Sequence, residues 1–145
     1  MYYTEKELLK AIYTAENVIK KLSKDYGKYI RGINDCFALL SEYDKALRGY
    51  TKSRIVETPW ESSAEWFYKL RKAGYTLNSY AEYCNYEIIP SKRPKLGDIA
   101  FEKGSAMIAG NGFWYSVPED NSGVRSTRQI MFFERHLMVL ARPRK

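Results

Sequence analysis

Reactive and metal-binding side chains are scarce in this chain. Its 145 residues include a single histidine, His136, and two cysteines, Cys36 and Cys84. Two cysteines do not make a disulfide framework, and their separation does not match the spacing of zinc ligands. We therefore expect no metal site. Glycine-rich phosphate-binding motifs are lacking too, and we expect no nucleotide cofactor.

Long apolar runs are also missing. No window approaches the roughly 20 apolar residues of a membrane-spanning helix, so we expect no membrane span. The start, MYYTEKELLKAI, has no basic segment followed by an apolar run, and so predicts no signal peptide. A soluble protein made in a reducing cytoplasm is the expectation.

What is present favours one folded domain. Hydrophobic residues at 45% and aromatic residues at 15% are enough to bury a core in a chain of this length. The net charge of +7 favours acidic partners, which include nucleic acid, anionic cell-wall polymers and acidic protein surfaces. Charge alone does not choose among them.

Helical patterning fills the first half of the chain. Thr4 and Glu7 have capping-box spacing ahead of an amphipathic repeat, which predicts a helix to about residue 25. A second helix is expected from Asp35, a suitable N-cap, to about Leu47. Ser62 begins a third helix in the same way, and NSYAEYC predicts one or two further helical turns.

After Pro90 the pattern changes to short apolar runs separated by turn residues. LGDIAFE, SAMIA, GFWYSV and HLMVLARP are typical of strands. We therefore predict a single α+β domain over 1–145, with an outer helix in 1–25, helices in 26–90 and an antiparallel sheet in 95–143.

Cys36 lies directly after the predicted N-cap of the second helix. The first turn of a helix has unpaired N–H groups and a partial positive charge, which favour a reactive thiolate. The alternative is an inert buried thiol, since Cys36 neighbours the apolar Phe37 and Leu40. Cys84 lacks a comparable context, and we expect a structural role for it.

The letters around Cys36 resemble a known signature. YIRG followed by NDCFALL is similar to the YxxGG…DCSGLV pattern of NlpC-type cysteine peptidases, papain-like enzymes that cleave peptidoglycan stem peptides. The matching positions are Tyr29, Gly32, Asp35 and Cys36. The run LGDIAF resembles the family's GDLVFF strand, and the GNG that ends at Gly112 resembles the end of the next strand. The resemblance covers roughly residues 26 to 143 and implies a papain-like fold, N-terminal helices packed on a small antiparallel sheet.

The resemblance also implies a catalytic site, in which Cys36 is the nucleophile and Tyr29, Gly32 and Asp35 form the substrate and oxyanion region. The family's base is a histidine at the start of the strand after GD. Alignment on GNG places it at Gly104, which cannot accept a proton. His136 is the remaining candidate base; the alternative is a histidine at the surface or at a strand end. An imidazole could be oriented by a neighbouring polar side chain, and the candidates are Asn111, Asp120 and Asn121. Turn formation is the ordinary explanation for all three.

Two surface features suggest partners. Basic residues gather near the C-terminus and on the third helix: Arg125, Arg128, Arg135, Arg142, Arg144, Lys145, Lys69, Arg71 and Lys72. They could contact phosphates, or they are a solvated charged face. In GFWYSV, alternation sends Phe113 and Tyr115 to one face of the sheet and Trp114 to the other, where a core or a binding surface is expected.

Three functions follow as hypotheses. The leading one is a catalytically degenerate NlpC-like component of a phage virion or tail, in contact with other virion proteins and located in the virion or the host cytoplasm. The alternative is an active peptidase or amidase that cleaves peptidoglycan with Cys36. A basic nucleic-acid-binding module is the second alternative.

Overall fold

In the computed structural model, helices precede an antiparallel sheet. The structure describes residues 1–56, 60–91, 93–102, 104–117, 125–128 and 139–145. The helices are α1 (Glu5–Tyr26), α2 (Cys36–Arg48), α3 (Ser63–Lys72) and α4 (Leu77–Tyr83). The strands are β1 (Tyr86–Ile88), β2 (Ile99–Glu102), β3 (Ser105–Ala109), β4 (Phe113–Ser116), β5 (Arg125–Arg128) and β6 (Val139–Pro143). The predicted α+β class is confirmed.

The helix boundaries follow the capping residues. Thr4 and Glu7 form a complete capping box at the start of α1. Asp35 caps α2, and its side chain accepts a hydrogen bond from the Ala38 N–H. Gly49 ends α2 in the left-handed conformation with φ of 83°, which glycine adopts without steric cost.

All described strand pairs are antiparallel, in the order β1-β6-β2-β3-β4-β5. Neighbouring hairpins connect β2, β3, β4 and β5, and β6 returns to lie between β1 and β2. The sheet therefore begins at Tyr86, inside the region that the sequence assigned to helices. Strand β1 was not predicted, and neither was β5.

Two apolar clusters lie on opposite faces of the sheet. The larger joins α1, α2, α3 and α4 to one face, and its fully buried members include Ile12, Leu40, Trp66 and Phe101. The smaller contains Ala100, Trp114 and Leu140. Phe113 and Tyr115 belong with the larger cluster, so the predicted alternation is confirmed. Trp114 is buried, however, so its side chain forms core and not a binding surface.

No helix within the described ranges is both long enough and apolar enough to cross a bilayer.

Candidate functional site

Cys36 is the first residue of α2, where the sequence placed it. Helix α2 packs on β3. The Cys36 sulfur lies close to the backbone N–H groups of Ala106, in β3, and of Phe37. The residue is 8% exposed, so little of the thiol meets solvent. The candidate nucleophile is thus enclosed between a helix N-terminus and a strand.

Burial dominates the acidity of this thiol. Burial first, and then the negative charge of Asp35, raise the pKa of Cys36 to about 12, against the nearby N–H groups, which lower it. Desolvation disfavours a thiolate, because the charged form loses its hydration inside the protein. Burial therefore opposes the activation expected at a helix N-terminus, and the role of Cys36 as a nucleophile stays a prediction.

Gly104, the position that aligns with the family's histidine, has no room for a side chain. It lies in the tight turn between Glu102 and Ser105 with φ of 83°, and an added Cβ would lie 2.4 Å from the Ser63 Cα. Real Cβ atoms do not approach backbone so closely. A base cannot project from this position.

Ala106, in β3, directs its backbone N–H to the Cys36 sulfur. Its methyl group is buried and cannot accept a proton. The motif comparison missed Ala106, because which residue of β3 faces α2 depends on the pairing of Ala106 with Phe101 in the sheet. The β3 residue whose N–H meets the thiol therefore contributes no side-chain base.

Among the other candidate residues for a base or its orientation, Asn111 lies within the described residues. His136, Asp120 and Asn121 lie outside the described residues, so their proposed roles stay predictions. Asn111 lies in the exposed turn that connects β3 and β4. Turn formation accounts for it.

The residues of the expected substrate and oxyanion region lie in the loop before α2 and its N-cap, and their part in substrate binding stays a prediction. Asp35 accepts hydrogen bonds from the N–H groups of Ala38, at 2.9 Å, and Gly32, at 2.8 Å. The Arg54 guanidinium donates to the Gly32 carbonyl at 2.6 Å. Tyr29 is half-buried against the larger apolar cluster. These contacts shape the loop that leads into α2.

Asn34 completes the same loop, and the sequence analysis did not single it out as a site residue. It is buried, accepts a hydrogen bond from the Ile30 N–H at 2.7 Å and donates to the Lys28 carbonyl at 2.8 Å. Asparagine often closes a turn through its own side chain, which is the signal that the sequence offers at this position. The loop before Cys36 is thus held by two buried polar side chains, Asn34 and Asp35.

Asp98, the aspartate of the GD motif, forms a two-point ion pair. Arg142 donates from Nε to one carboxylate oxygen at 2.8 Å and from Nη2 to the other at 2.9 Å. The Lys95 N–H donates to the same carboxylate at 2.8 Å. Because Asp98 is buried and Arg142 belongs to β6, this pair fixes the last strand to the turn before β2.

A second buried polar cluster surrounds Asp44 in α2. Its carboxylate accepts hydrogen bonds from Thr51, at 2.8 Å, from Arg48, at 3.2 Å, and from the Tyr86 hydroxyl. Arg48 also donates to the carbonyls of Cys84 and Asn85, which connect α4 to β1. Burial raises the pKa of Asp44 to about 7, against the attraction of Arg48. The cluster joins α2 to the edge of the sheet.

Cys84 lies beside this cluster and behaves as a buried structural thiol. Burial raises its pKa to about 12, as does the charge of Asp44. It is a free cysteine, like Cys36. Burial thus raises the pKa of both thiols.

Several of the basic residues gathered at the C-terminus are paired with acidic ones. Beside the Asp98 pair, Arg144 lies 3.8 Å from Glu87 and Lys145 lies 3.2 Å from Glu7. Such pairing leaves less unbalanced positive charge for phosphates than the sequence suggests.

Two concave regions lie away from Cys36. A pocket of about 230 Å³ is bordered by Tyr2, Tyr3, Lys95 and the Asp98–Arg142 pair. An open groove of about 600 Å³ follows β1 and is bordered by Tyr50, Glu82, Asn85 and Arg144. Among the described residues, no three histidine, cysteine or acidic side chains come together as metal ligands.

Comparison with protein-family models gives no match to this chain, and comparison with curated proteins gives none either.

Proposed function

We propose that this protein is an NlpC-like domain that has kept a papain-like arrangement, has lost cysteine hydrolysis and acts as an interaction component of a phage virion or tail. The environment of the Cys36 thiol is the observation that supports the loss of catalysis. This thiol is buried, its pKa is raised to about 12, and its sulfur lies beside the backbone N–H of Ala106. A cysteine nucleophile needs a base or a thiolate. Burial disfavours the thiolate, and within the described residues the position aligned with the family's histidine, Gly104, has no side chain to act as a base.

The papain-like part of the proposal is supported by the order of the elements. A cysteine begins a helix, the helix packs on an antiparallel sheet, and the sheet strands follow it in the chain. Asp98 and the β2 strand after it occupy the place of the GD motif. This arrangement is compatible with the motif resemblance, and fold alone does not carry activity.

A protein partner is favoured over nucleic acid by the charge arrangement. Arg142, Arg144 and Lys145 all have acidic neighbours within the chain. Exposed tyrosines remain, with Tyr68 at 65% and Tyr13 at 54% exposure. Tyrosine is enriched at protein interfaces, where its ring is buried and its hydroxyl stays paired.

Two measurements test the two parts of the proposal. The first incubates the purified protein and its Cys36→Ser variant with peptidoglycan stem-peptide fragments and follows cleavage by mass spectrometry. We expect no cleavage by either protein. Cleavage by the wild type that Cys36→Ser abolishes would establish the active peptidase instead.

The second measurement asks where the protein resides. We expect it at fixed stoichiometry in purified particles of the virus that encodes it, bound to other virion proteins. Absence from the particles would contradict the structural role, whatever the result of the cleavage assay.

A further inference from the structure

We infer that the free edge of β1 is a docking site for an extended peptide segment of a partner protein, which adds to the sheet as a further strand. Strand β1 is the terminal strand of the described sheet and pairs on one side with β6. The groove of about 600 Å³ is lined by all three β1 residues, together with Tyr50, Glu82, Asn85, Arg144 and Lys145. The inference does not rest on the loss of catalysis, since β1 lies three strand positions, about 14 Å, from β3, on which the helix that bears Cys36 packs.

The pairing of β1 with β6 shows which backbone groups are free. The Ile89 N–H donates to the Leu140 carbonyl at 2.8 Å, and Glu87 lies opposite Arg142 in the same register. Because bonding alternates along an antiparallel pair, the N–H and C=O groups of Tyr86 and Ile88 point away from β6. Nothing in the described part of the chain hydrogen-bonds to these four outward groups.

The four groups repeat with the spacing of a strand, two donors and two acceptors along one line. An extended peptide presents the matching groups, and this is the basis of recognition by strand addition. Natural edges are often protected by shortness or charge, and β1 has only three residues. The adjoining groove nevertheless leaves the edge accessible, so a short segment of three to five residues is the occupant that fits, since each strand residue spans about 3.3 Å.

The walls of the groove specify the chemistry of that segment. Tyr86 and Ile88 pack with the helix-side cluster, so partner residues opposite them point to the helix side as well. The lining includes Tyr50, which is 42% exposed, and Glu82, whose carboxylate has no ion-pair partner among the described residues. The two basic residues of the lining, Arg144 and Lys145, are paired with Glu87 and Glu7. An apolar residue opposite Ile88 and a lysine or arginine opposite Tyr86 are complementary to these walls.

A second copy of this chain is not the expected occupant. In the antiparallel register that places Tyr86 opposite Ile88 of another copy, Glu87 would lie opposite Glu87. Like charges directly opposite each other destabilise a strand pair. The occupant is therefore a segment with a basic residue from another protein.

The probe is the capped peptide Thr-Val-Thr-Lys-Thr, which places valine opposite Ile88 and lysine opposite Tyr86 when it binds antiparallel. We expect amide shifts at Tyr86, Glu87 and Ile88 in an NMR titration and slower hydrogen exchange of the Tyr86 and Ile88 amides. Two control peptides are expected to bind at least about tenfold more weakly, one with glutamate in place of lysine and one methylated on the valine and lysine nitrogens.

Ile88→Pro is the matched protein variant. It removes an outward N–H that makes no bond within the described part of the protein, so it should leave the β1–β6 pairing intact, and we expect about tenfold weaker peptide binding. Ile88→Val keeps the N–H and should bind like the wild type. The inference is overturned if no peptide shifts these amides up to millimolar concentration, if Ile88→Pro or the methylated peptide binds equally well, or if the shifts map elsewhere. It is also overturned if the protein self-associates and Ile88→Pro abolishes that association.

Discussion

At the scale of single residues, Gly104 is constrained twice, by its φ of 83° and by its approach to Ser63. A side chain in the left-handed conformation costs about 1–2 kcal/mol. An added Cβ must also displace the backbone of Ser63, which cannot move like a flexible side chain. We predict that Gly104→Ala lowers the free energy of unfolding by more than this backbone cost, measured by denaturant unfolding.

Gly112 supplies the control for that prediction. Its φ is 85°, but an added Cβ meets nothing within 4 Å. Gly112→Ala should therefore cost only the backbone term of about 1–2 kcal/mol. Equal losses for the two variants would show that Gly104 does not approach Ser63 closely in the folded protein.

Asp44 should make stability depend on pH. Because burial raises its pKa to about 7, the folded protein holds this proton more tightly than the unfolded chain, whose carboxyl ionises near about 4. The contribution of Asp44 is thus fully present below about pH 4, and the free energy of unfolding falls as pH rises from about 4 to about 7.

Asp44→Asn tests this, because asparagine cannot titrate and can still accept from Thr51 and Arg48. We expect the variant to lose the fall in unfolding free energy between about pH 4 and about pH 7. A wild-type slope that survives in Asp44→Asn would assign the pH dependence to other groups.

At the scale of elements, the start of α2 depends on Asp35. Its buried carboxylate serves both the helix N-terminus and the Gly32 N–H. Loss of an N-cap alone costs about 1 kcal/mol, and a buried donor left unpaired adds about 1–3 kcal/mol. We predict that Asp35→Ala destabilises the protein by about 2–4 kcal/mol in thermal or denaturant unfolding.

The N-cap of α3 is the matched comparison. Ser62 is exposed and accepts one hydrogen bond, from the Glu65 N–H at 3.1 Å. Ser62→Ala should cost about 1 kcal/mol. If Asp35→Ala costs no more than Ser62→Ala, the bond to Gly32 contributes nothing to the stability of the loop.

The elements that the sequence predicted well are those with local signals. Thr4, Asp35 and Ser62 mark helix starts within a few residues of the groups that they cap. Strand β1 has no such signal. Its three residues become a strand only because they pair with β6, as Ile88 does with Ala141 far along the chain. Short strands of this kind depend on tertiary context, which a sequence window does not contain.

The candidate site also combines features that have local sequence signals with features that depend on tertiary packing. The sequence placed Cys36 at the start of a helix, because the cap beside it is local. The burial of its thiol and the approach of Ala106 depend on how α2 packs on β3 and on the β2–β3 register. Neither is encoded in the motif letters. Likewise, the alternation of side chains along the strand predicted that Trp114 lies on the opposite face of the sheet from Phe113. It did not reveal that both faces contain buried apolar residues.

At the scale of the whole molecule, the two ends of the chain meet beside β6. Tyr2 bridges to Arg144, and the Lys145 N–H donates to the Met1 carbonyl at 2.9 Å. The ion pair between Asp98 and Arg142 connects the same strand, β6, to the turn before β2. Removing one partner of a buried ion pair costs about 3–5 kcal/mol, so we predict such a loss for Asp98→Ala in denaturant unfolding.

The exposed pair between Lys20 and Glu16, at 3.6 Å, gives the control. Lys20→Ala should change the free energy of unfolding by less than about 1 kcal/mol, because solvent screens an exposed pair. A small effect of Asp98→Ala, similar to that of Lys20→Ala, would contradict a structural role for the GD aspartate.

The reactivity of Cys36 toward iodoacetamide, followed across pH by peptide mapping in a Cys84→Ala background, tests the central claim most directly. With the pKa of Cys36 raised to about 12, alkylation should be slow at neutral pH and should keep rising with pH throughout the range in which the protein stays folded. A rate that is already fast and constant near neutral pH would show a thiolate with a depressed pKa. That result would contradict the loss of catalysis and make Cys36 a working nucleophile.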